Sequence, residues 1–174
     1  MRYLMETNRL ALRRLVPEDE PALCRFLGNP QVMYAWEHGF SPQEVRDWIS
    51  RNLARYEKDG YGYFAAVEQK SGRMVGNIGL LREPIRGEER LCLGYLLDNR
   101  YWGMGYATEG AKACLDYAFK YLIAPEVLAD IRPGNTPSRR VAERLGMRAV
   151  GEFVKVYRGK EMPHLIYRLG REDL

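Results

Sequence analysis

Cysteine and histidine are scarce in this chain. The three cysteines, Cys24, Cys92 and Cys114, are widely spaced, form no C-x-x-C motif and are accompanied by only two histidines. A structural zinc site needs a cluster of such ligands, and a disulfide framework needs cysteine pairs. We therefore expect neither a metal cofactor nor a network of disulfide bonds.

Long apolar runs are also missing. No segment approaches the ~20 apolar residues of a transmembrane helix, and residues 1–7, MRYLMET, lack the apolar stretch of a secretory signal. The sequence contains no internal repeat and no low-complexity tract. We therefore expect a cytoplasmic protein that has no membrane partner.

Charge of one sign is only slightly in excess. The net charge is +4 and the basic residues are scattered along the chain, whereas nucleic-acid binding needs clustered lysine and arginine. We therefore expect no nucleic-acid partner, although a mild positive excess suits a small anionic ligand. A length of 174 residues is typical of one domain, and we predict a single domain over residues 1–174.

The most informative segment is residues 100–110, with the sequence RYWGMGYATEG. A strand-length apolar run, residues 90–97, precedes it, and apolar residues recur at helical spacing over residues 107–122, which predicts a turn between a strand and a helix. Gly103 and Gly105 allow the backbone to bend tightly and a ligand to approach it. Because the first N–H groups of a helix lack partners, this turn is a candidate anion site.

Three simpler or better-known explanations compete for this turn. A plain structural turn needs nothing beyond Gly-x-Gly, so it stays open. A dinucleotide-binding fingerprint needs a third glycine where Thr108 stands. A nucleoside-triphosphate loop needs Gly-Lys-Ser/Thr, which the sequence does not contain.

Apolar periodicity and capping signals predict alternating strands and helices along the rest of the chain. The predicted strands are residues 9–15, 60–67, 74–81, 90–97, 127–131, 149–156 and 164–169. The predicted helices begin at Pro17, at the Ser41–Glu44 capping box, after Gly105 and at Thr136. Residues 82–89 are predicted to form a charged turn.

Two motifs carry a resemblance to a known family. Arg-x-x-Gly-x-Gly at 100–105, preceded by Gly94-Tyr95-Leu96 and followed by Tyr-Ala-Thr-Glu, resembles the pyrophosphate loop of GNAT-family N-acetyltransferases. Asn135-Thr-Pro-Ser138 and residues 143–147 resemble that family's Asn-x-x-Ser helix and its ending. The likeness is strongest to the RimJ/RimL-like type, which acts on ribosomal-protein N-termini. It implies the GNAT fold, an α/β fold with an α+β mixed sheet of six to seven strands and helices on both faces.

The resemblance also implies where acetyl-CoA and an amine acceptor bind. The pantetheine arm would lie along the strand before the turn, in the manner of an added strand. The residues implied for the cofactor are Tyr95, Leu96, Leu97, Arg100, Gly103, Met104, Gly105, Tyr106, Ala107 and Asn135, with Arg139 and Arg140 as nearby cations. Aromatic residues between the first two helices would line the acceptor site or simply pack there; they are Tyr34, Trp36 and His38.

Ser138 is the residue to which the resemblance assigns a catalytic role. Its hydroxyl would hydrogen-bond the thiolate that leaves from acetyl-CoA. The alternative is that Ser138 only bonds to local backbone, as serines early in helices often do. Asn135 likewise either contacts the cofactor amides or only shapes the turn.

Two residues that are frequent in the family are replaced in this chain. Ala142 stands where a tyrosine acid is common, and Cys92 stands where a glutamate base is common. A cysteine in an apolar strand is expected to be a protonated packing residue. Glu88 and Glu89 are the first substitutes for the missing base, with Glu37 and His38 as further candidates.

The resemblance implies an acetyl-CoA-dependent N-acetyltransferase. Without a strong base, the enzyme would favour a peptide N-terminal α-amine, whose pKa of about 8 lies far below the ~10.4 of lysine. Small-molecule amines of the polyamine or aminoglycoside type remain alternatives, as does a non-catalytic acyl-CoA-binding module. We expect a monomer or a homodimer.

Overall fold

A mixed β-sheet organises the chain, and the computed structural model describes residues 2–174 of it. The strands are β1 (Met5–Glu6), β2 (Leu10–Arg14), β3 (Tyr63–Glu68), β4 (Met74–Ile85), β5 (Glu88–Leu97), β6 (Glu126–Ile131), β7 (Arg148–Tyr157) and β8 (Lys160–Gly170). The helices are α1 (Glu20–Leu27), α2 (Pro42–Asp59), α3 (Tyr106–Lys120) and α4 (Thr136–Arg144), with short 3-10 turns between some elements.

The strands lie in the order β1-β2-β3-β4-β5-β6-β8-β7. Neighbouring strands are antiparallel except for β5 and β6, which are parallel. The prediction of a mixed sheet is therefore confirmed. The described residues form eight strands rather than six to seven, because residues 5–6 pair with β2 as a short edge strand.

Helices cover both faces of this sheet. On one face, Trp48 of α2 donates its indole N–H to Asn77 of β4 at 2.9 Å. On the other face, α3 lies so close that a Cβ added at Gly110 would stand 2.4 Å from Ile78 Cδ1. Because Asn77 and Ile78 are consecutive residues of one strand, their side chains point to opposite faces. The close approach of α3 explains why glycine is present at position 110.

The prediction of a charged turn at 82–89 is wrong. Strand β4 continues to Ile85 and β5 already starts at Glu88, so the turn consists of Arg86 and Gly87 alone, both with positive φ. Arg82 and Glu83, the charged residues before the turn, pair with Leu91 and Arg90 of β5 in the antiparallel ladder. Glu83 consequently lies inside a strand of the sheet and not in a loop.

The predicted capping box at the start of α2 is confirmed. The Ser41 hydroxyl accepts a hydrogen bond from the Glu44 N–H at 3.2 Å, and the Glu44 carboxylate accepts one from the Ser41 N–H at 3.1 Å. This pair fixes where the preceding aromatic segment, residues 31–40, meets the helix.

Among the described residues, no helix is both long enough and apolar enough to cross a membrane.

Candidate active site

A cleft of about 740 Å³ opens between β5 and β6. These two parallel strands have a single pair of residues in register in the described chain, Cys92 and Leu128. Beyond that pair the strands diverge, and residues 93–97 of β5 face residues 129–132 across the gap. Backbone groups of both strands are therefore available to a ligand that enters the wedge.

The glycine turn closes one end of this cleft. Gly103 and Gly105 have φ angles of 77° and 81°, the left-handed region that glycine adopts without strain. Helix α3 starts directly after Gly105, and no side chain of the described chain caps its first N–H groups. Tyr106, Ala107 and Thr108 line the cleft at this point. The free N–H groups and the helix dipole favour a bound anion here.

Two residues that the sequence assigned to the cofactor lie outside the lining of the cleft. The Arg100 guanidinium bonds the buried Asp98 carboxylate at 2.7 Å, and Met104 is 52% exposed. Of the two nearby cations, Arg139 donates to the Tyr167 hydroxyl at 3.0 Å. Arg140 does line the cleft, so it is the predicted cation that faces the ligand space.

Ser138 and Tyr95 meet across the middle of the cleft. Ser138 is half-buried in the first turn of α4 and lines the cleft, and the Asn135 side chain accepts a hydrogen bond from its N–H at 3.4 Å. The Tyr95 hydroxyl donates to the Ser138 carbonyl oxygen at 2.6 Å. Burial raises the pKa of the Tyr95 phenol. The two hydroxyls thus share one small region of the cleft.

The floor of the cleft carries three charged side chains, Glu83 of β4, Asp130 of β6 and Lys155 of β7. The Lys155 ammonium lies 2.6 Å from an Asp130 oxygen and 3.5 Å from a Glu83 oxygen. The Sγ atom of Cys92 lies within 4.8 Å of both carboxylates. This cluster therefore sits at the point where β5 and β6 begin to separate.

Burial and neighbouring charges shift the protonation equilibria of this floor. Burial raises the pKa of the Glu83 carboxyl, and the Asp130 carboxylate raises it further, whereas Lys155 and Arg55 oppose the rise. Burial alone would lower the pKa of Lys155, but the Asp130 and Glu83 carboxylates outweigh that effect and raise it. Burial lowers the pKa of His164, which also lines the cleft. The floor thus combines a permanent cation with a carboxyl that binds protons more readily than usual.

An aromatic wall faces the other end of the cleft. Tyr34 and Trp36 line it, and the Tyr34 ring lies 5.7 Å from the Arg132 guanidinium. Trp36 packs edge-on against Trp48, with 6.0 Å between the ring centroids. His38, the third aromatic predicted for the acceptor site, turns away from the lining and bonds Glu44 at 3.0 Å.

A family model described as "Acetyltransferase (GNAT) domain" matches residues 9–148. The chain belongs to the GNAT acetyltransferase family. Relatives in curated collections carry the name N-acetyltransferase, and the fold is that of GNAT acetyltransferases of known structure. The chain is accordingly an acetyl-CoA-dependent N-acetyltransferase, as the family resemblance of its glycine turn implied.

Three relatives illustrate the similarity. The Bacillus subtilis protein named "Uncharacterized protein YkkB" is 32% identical, with 92% of each chain covered. The FsC-acetyl coenzyme A-N(2)-transacetylase of Aspergillus fumigatus is 33% identical, with 97% of this chain and 77% of that protein covered. The crystal structure of a GNAT-family acetyltransferase from Bacillus anthracis superimposes with a TM-score of 0.82 at 27% identity, covering 97% of this chain and 98% of that one.

The two glutamates that the sequence suggested first as substitutes for the missing base do not line the cleft of this GNAT enzyme. Glu88 is mostly exposed and lies near Arg90, and Glu89 bonds Arg82 at 3.4 Å. Cys92 is buried, and burial raises the pKa of its thiol. A raised pKa favours the protonated thiol, which agrees with the expectation from the sequence.

Sequence reasoning missed the three charged residues on the floor of this GNAT cleft. Glu83 belongs to the segment 82–89 for which a turn was predicted, and Asp130 and Lys155 lie within the predicted strands 127–131 and 149–156 without a predicted role. One signal was present: Leu81, Glu83 and Ile85 alternate with the exposed residues Arg82 and Pro84 in the continuation of β4. Strand periodicity therefore puts Glu83 on the same face as two buried apolar residues, which is where a carboxylate needs a partner.

Proposed function

We propose that this GNAT enzyme acetylates the α-amine of peptide N-termini, as the RimJ/RimL-like type does. Acetyl-CoA would bind in the wedge between β5 and β6, with its pyrophosphate at the start of α3. Its pantetheine arm would run along Tyr95, Leu96 and Leu97, which line the wedge. The diverging parallel strands support this assignment most directly, because they expose strand backbone for an added strand.

Ser138 is proposed to hydrogen-bond the departing thiolate. It lines the same wedge, one helical turn from Asn135 and beside the Tyr95 hydroxyl. A hydroxyl donor near a developing thiolate stabilises the charge that forms as the C–S bond breaks. The first turn of α4 adds the positive end of its dipole at the same place.

The choice of acceptor rests on proton availability. The thiol of Cys92 is buried and its pKa is raised, so it cannot take a proton from an ammonium group near neutral pH. An α-amine has a pKa of about 7.7–8.0, against about 10.4 for lysine, so at pH 7 its neutral fraction is ~200-fold or more larger. Any weak carboxylate base in the cleft faces the same difference. A peptide N-terminus is therefore the easier nucleophile.

Two peptides of one sequence test this proposal. One has a free N-terminus and no lysine, and the other has a blocked N-terminus and a single lysine. We expect kcat/KM at pH 7 to be at least ~10²-fold larger for the free terminus, because of the difference in neutral fraction. Mass spectrometry of the two products measures the rates, and equal rates would contradict the choice of acceptor.

A small-molecule amine is the second candidate acceptor, and one relative favours it. The name of the Aspergillus fumigatus enzyme assigns it acetyl transfer to N(2) of FsC. The two carboxylates on the cleft floor would also attract a polyamine or an aminoglycoside, whose amines are cationic. Adding such amines to the peptide assay as competing acceptors decides between the two classes. In the mixture, mass spectrometry shows whether the peptide or the small amine is the acceptor that becomes acetylated.

A further inference from the structure

We infer that Glu83 accepts the proton that the acceptor ammonium must lose before it attacks acetyl-CoA, and that the Lys155–Asp130 ion pair positions the Glu83 carboxylate. The inference rests on the proposed acetyl transfer to an amine, but not on which amine is used. It places the proton acceptor on β4, the strand next to the one that carries Cys92.

The position of Glu83 carries the first step of the argument. Its carboxylate lines the cleft and lies within 4.8 Å of the Cys92 sulfur, at the point where β5 and β6 start to diverge. The side chain keeps 20% of its surface exposed. Glu83 is thus a carboxylate that is shielded from bulk water and still open to a ligand in the wedge.

The two distances from Lys155 carry the second step. The ammonium lies 2.6 Å from Asp130 but 3.5 Å from Glu83, so the short charge-assisted bond belongs to Asp130. The Asp130 side chain is also less exposed, at 11%. Asp130 therefore serves as the partner that fixes Lys155, and Glu83 retains an oxygen that can accept a proton from a substrate.

The surroundings of Glu83 make its carboxylate a better proton acceptor than an exposed one. The titratable and charged groups that face it come from five elements: Arg55 of α2, Tyr63 of β3, Cys92 of β5, Asp130 of β6 and Lys155 of β7. His164 of β8 interacts with Asp130 and Lys155 of the same cluster. Burial and the Asp130 charge raise the pKa of Glu83, and a raised pKa makes a carboxylate a better proton acceptor. Lys155 and Arg55 limit that rise.

The proton and electron balance of the step is simple. The acceptor ammonium gives one proton to Glu83, and the neutral amine attacks the acetyl carbonyl, forming a C–N bond. The C–S bond then breaks, and the thiolate leaves with a hydrogen bond from Ser138. The second amine proton is lost from nitrogen and is taken up by the thiolate to give the CoA thiol. Glu83 releases its proton to water, so the net products are the amide, the CoA thiol and one proton.

A pH-rate profile from about pH 6 to about pH 9 tests the inference, with Glu83→Gln as the variant and Glu89→Gln as the matched control. We expect Glu83→Gln to lower kcat/KM by ~10²-fold at pH 7, the lower part of the range for general bases. The loss should shrink toward the pKa of the amine, because a neutral amine needs no base. Glu89→Gln should follow the parent enzyme, since Glu89 lies outside the cleft.

Two further variants separate proton acceptance from folding. Glu83→Asp keeps a carboxylate and should keep the shape of the parent profile at a lower rate. Lys155→Met should move the acid limb of the pH-rate profile to higher pH, because Lys155 lowers the pKa of Glu83. Lys155→Arg keeps the positive charge and should return this limb to its position in the parent enzyme. Circular dichroism and the acetyl-CoA dissociation constant show that each variant is folded and binds its cofactor.

The outcomes that overturn the inference are specific. A Glu83→Gln profile parallel to that of the parent at every pH removes Glu83 as proton acceptor, and a His164→Gln variant that alone shows the expected pH-dependent loss assigns the role to His164. A Lys155→Met variant with an unmoved acid limb removes the positioning role of Lys155. If the parent prefers a lysine or a small amine, the proposed acceptor is wrong, and the same profiles recorded on that amine still test Glu83.

Discussion

Replacing Ser138 by alanine tests the centre of the proposed mechanism. Ser138 lines the cleft in the first turn of α4, where the Tyr95 hydroxyl bonds its carbonyl oxygen. If the Ser138 hydroxyl stabilises the leaving thiolate, its removal should lower kcat and leave the affinity for acetyl-CoA nearly unchanged. The thiolate charge exists in the transition state and not in the bound thioester.

The size of the expected loss in kcat follows from the strength of a hydrogen bond to a charged group and from the partial exposure of Ser138. A hydrogen bond to a charged group contributes roughly 1.5–3 kcal/mol, and each ~1.36 kcal/mol is tenfold in rate. The expected loss in kcat is therefore about 10- to 150-fold. Because Ser138 is only half-buried, water can replace part of this stabilisation, so we expect the loss not to exceed the order of 10²-fold.

Three variants and two measurements make the assay decisive. Steady-state kcat is measured by release of the CoA thiol, and the dissociation constant of acetyl-CoA is measured by calorimetry. Ser138→Thr retains a hydroxyl and should recover part of the activity. Thr136→Ala, an exposed change in the first turn of the same helix, should match the parent enzyme.

Two results would refute this reasoning. An unchanged kcat in Ser138→Ala would mean that the hydroxyl does not contact the leaving group. A loss of acetyl-CoA affinity as large as the loss of kcat would mean that Ser138 binds the cofactor uniformly and stabilises nothing specific to the transition state.

Two other predictions concern cofactor binding and stability. Acetyl-CoA should bind at least ~10-fold more tightly in calorimetry than the acetyl thioester of unphosphorylated pantetheine, because the start of α3 presents uncapped N–H groups to phosphate; equal affinities would remove the anion site. Asn77→Leu should lower the free energy of unfolding in urea by about 1–3 kcal/mol, since it leaves the buried Trp48 N–H without its 2.9 Å acceptor. The exposed change Asn99→Leu is its control, and equal stabilities would show that the lost acceptor is replaced.

Local signals in the sequence predicted most of the elements of this fold. The capping box at Ser41 and the glycines at 103 and 105 act through hydrogen bonds and dihedral angles within a few residues, so they can be recognised without knowing the rest of the structure. The same holds for the helical spacing of α3. The predicted strands at 74–81 and 90–97 were correct in type but too short at the ends that face each other.

The error at 82–89 shows where local information stops. Arg82, Glu83 and Pro84 are polar or strand-breaking residues that suggest a turn, yet they pair with β5 in the register Arg82–Leu91 to Pro84–Glu89. Strand formation there depends on a partner strand and on packing, not on intrinsic preference. The sequence pattern was therefore misleading at the very segment that holds Glu83.

The sequence alone determined the family, the glycine turn and the position of Ser138, because each is a short contiguous motif. Only the tertiary structure brought Glu83, Asp130 and Lys155 together, from three strands that are far apart along the chain. Their meeting depends on the strand order and on the divergence of β5 from β6. The raised pKa of Glu83 has the same origin, since burial and the charge of Asp130 act through space and leave no local pattern in the sequence.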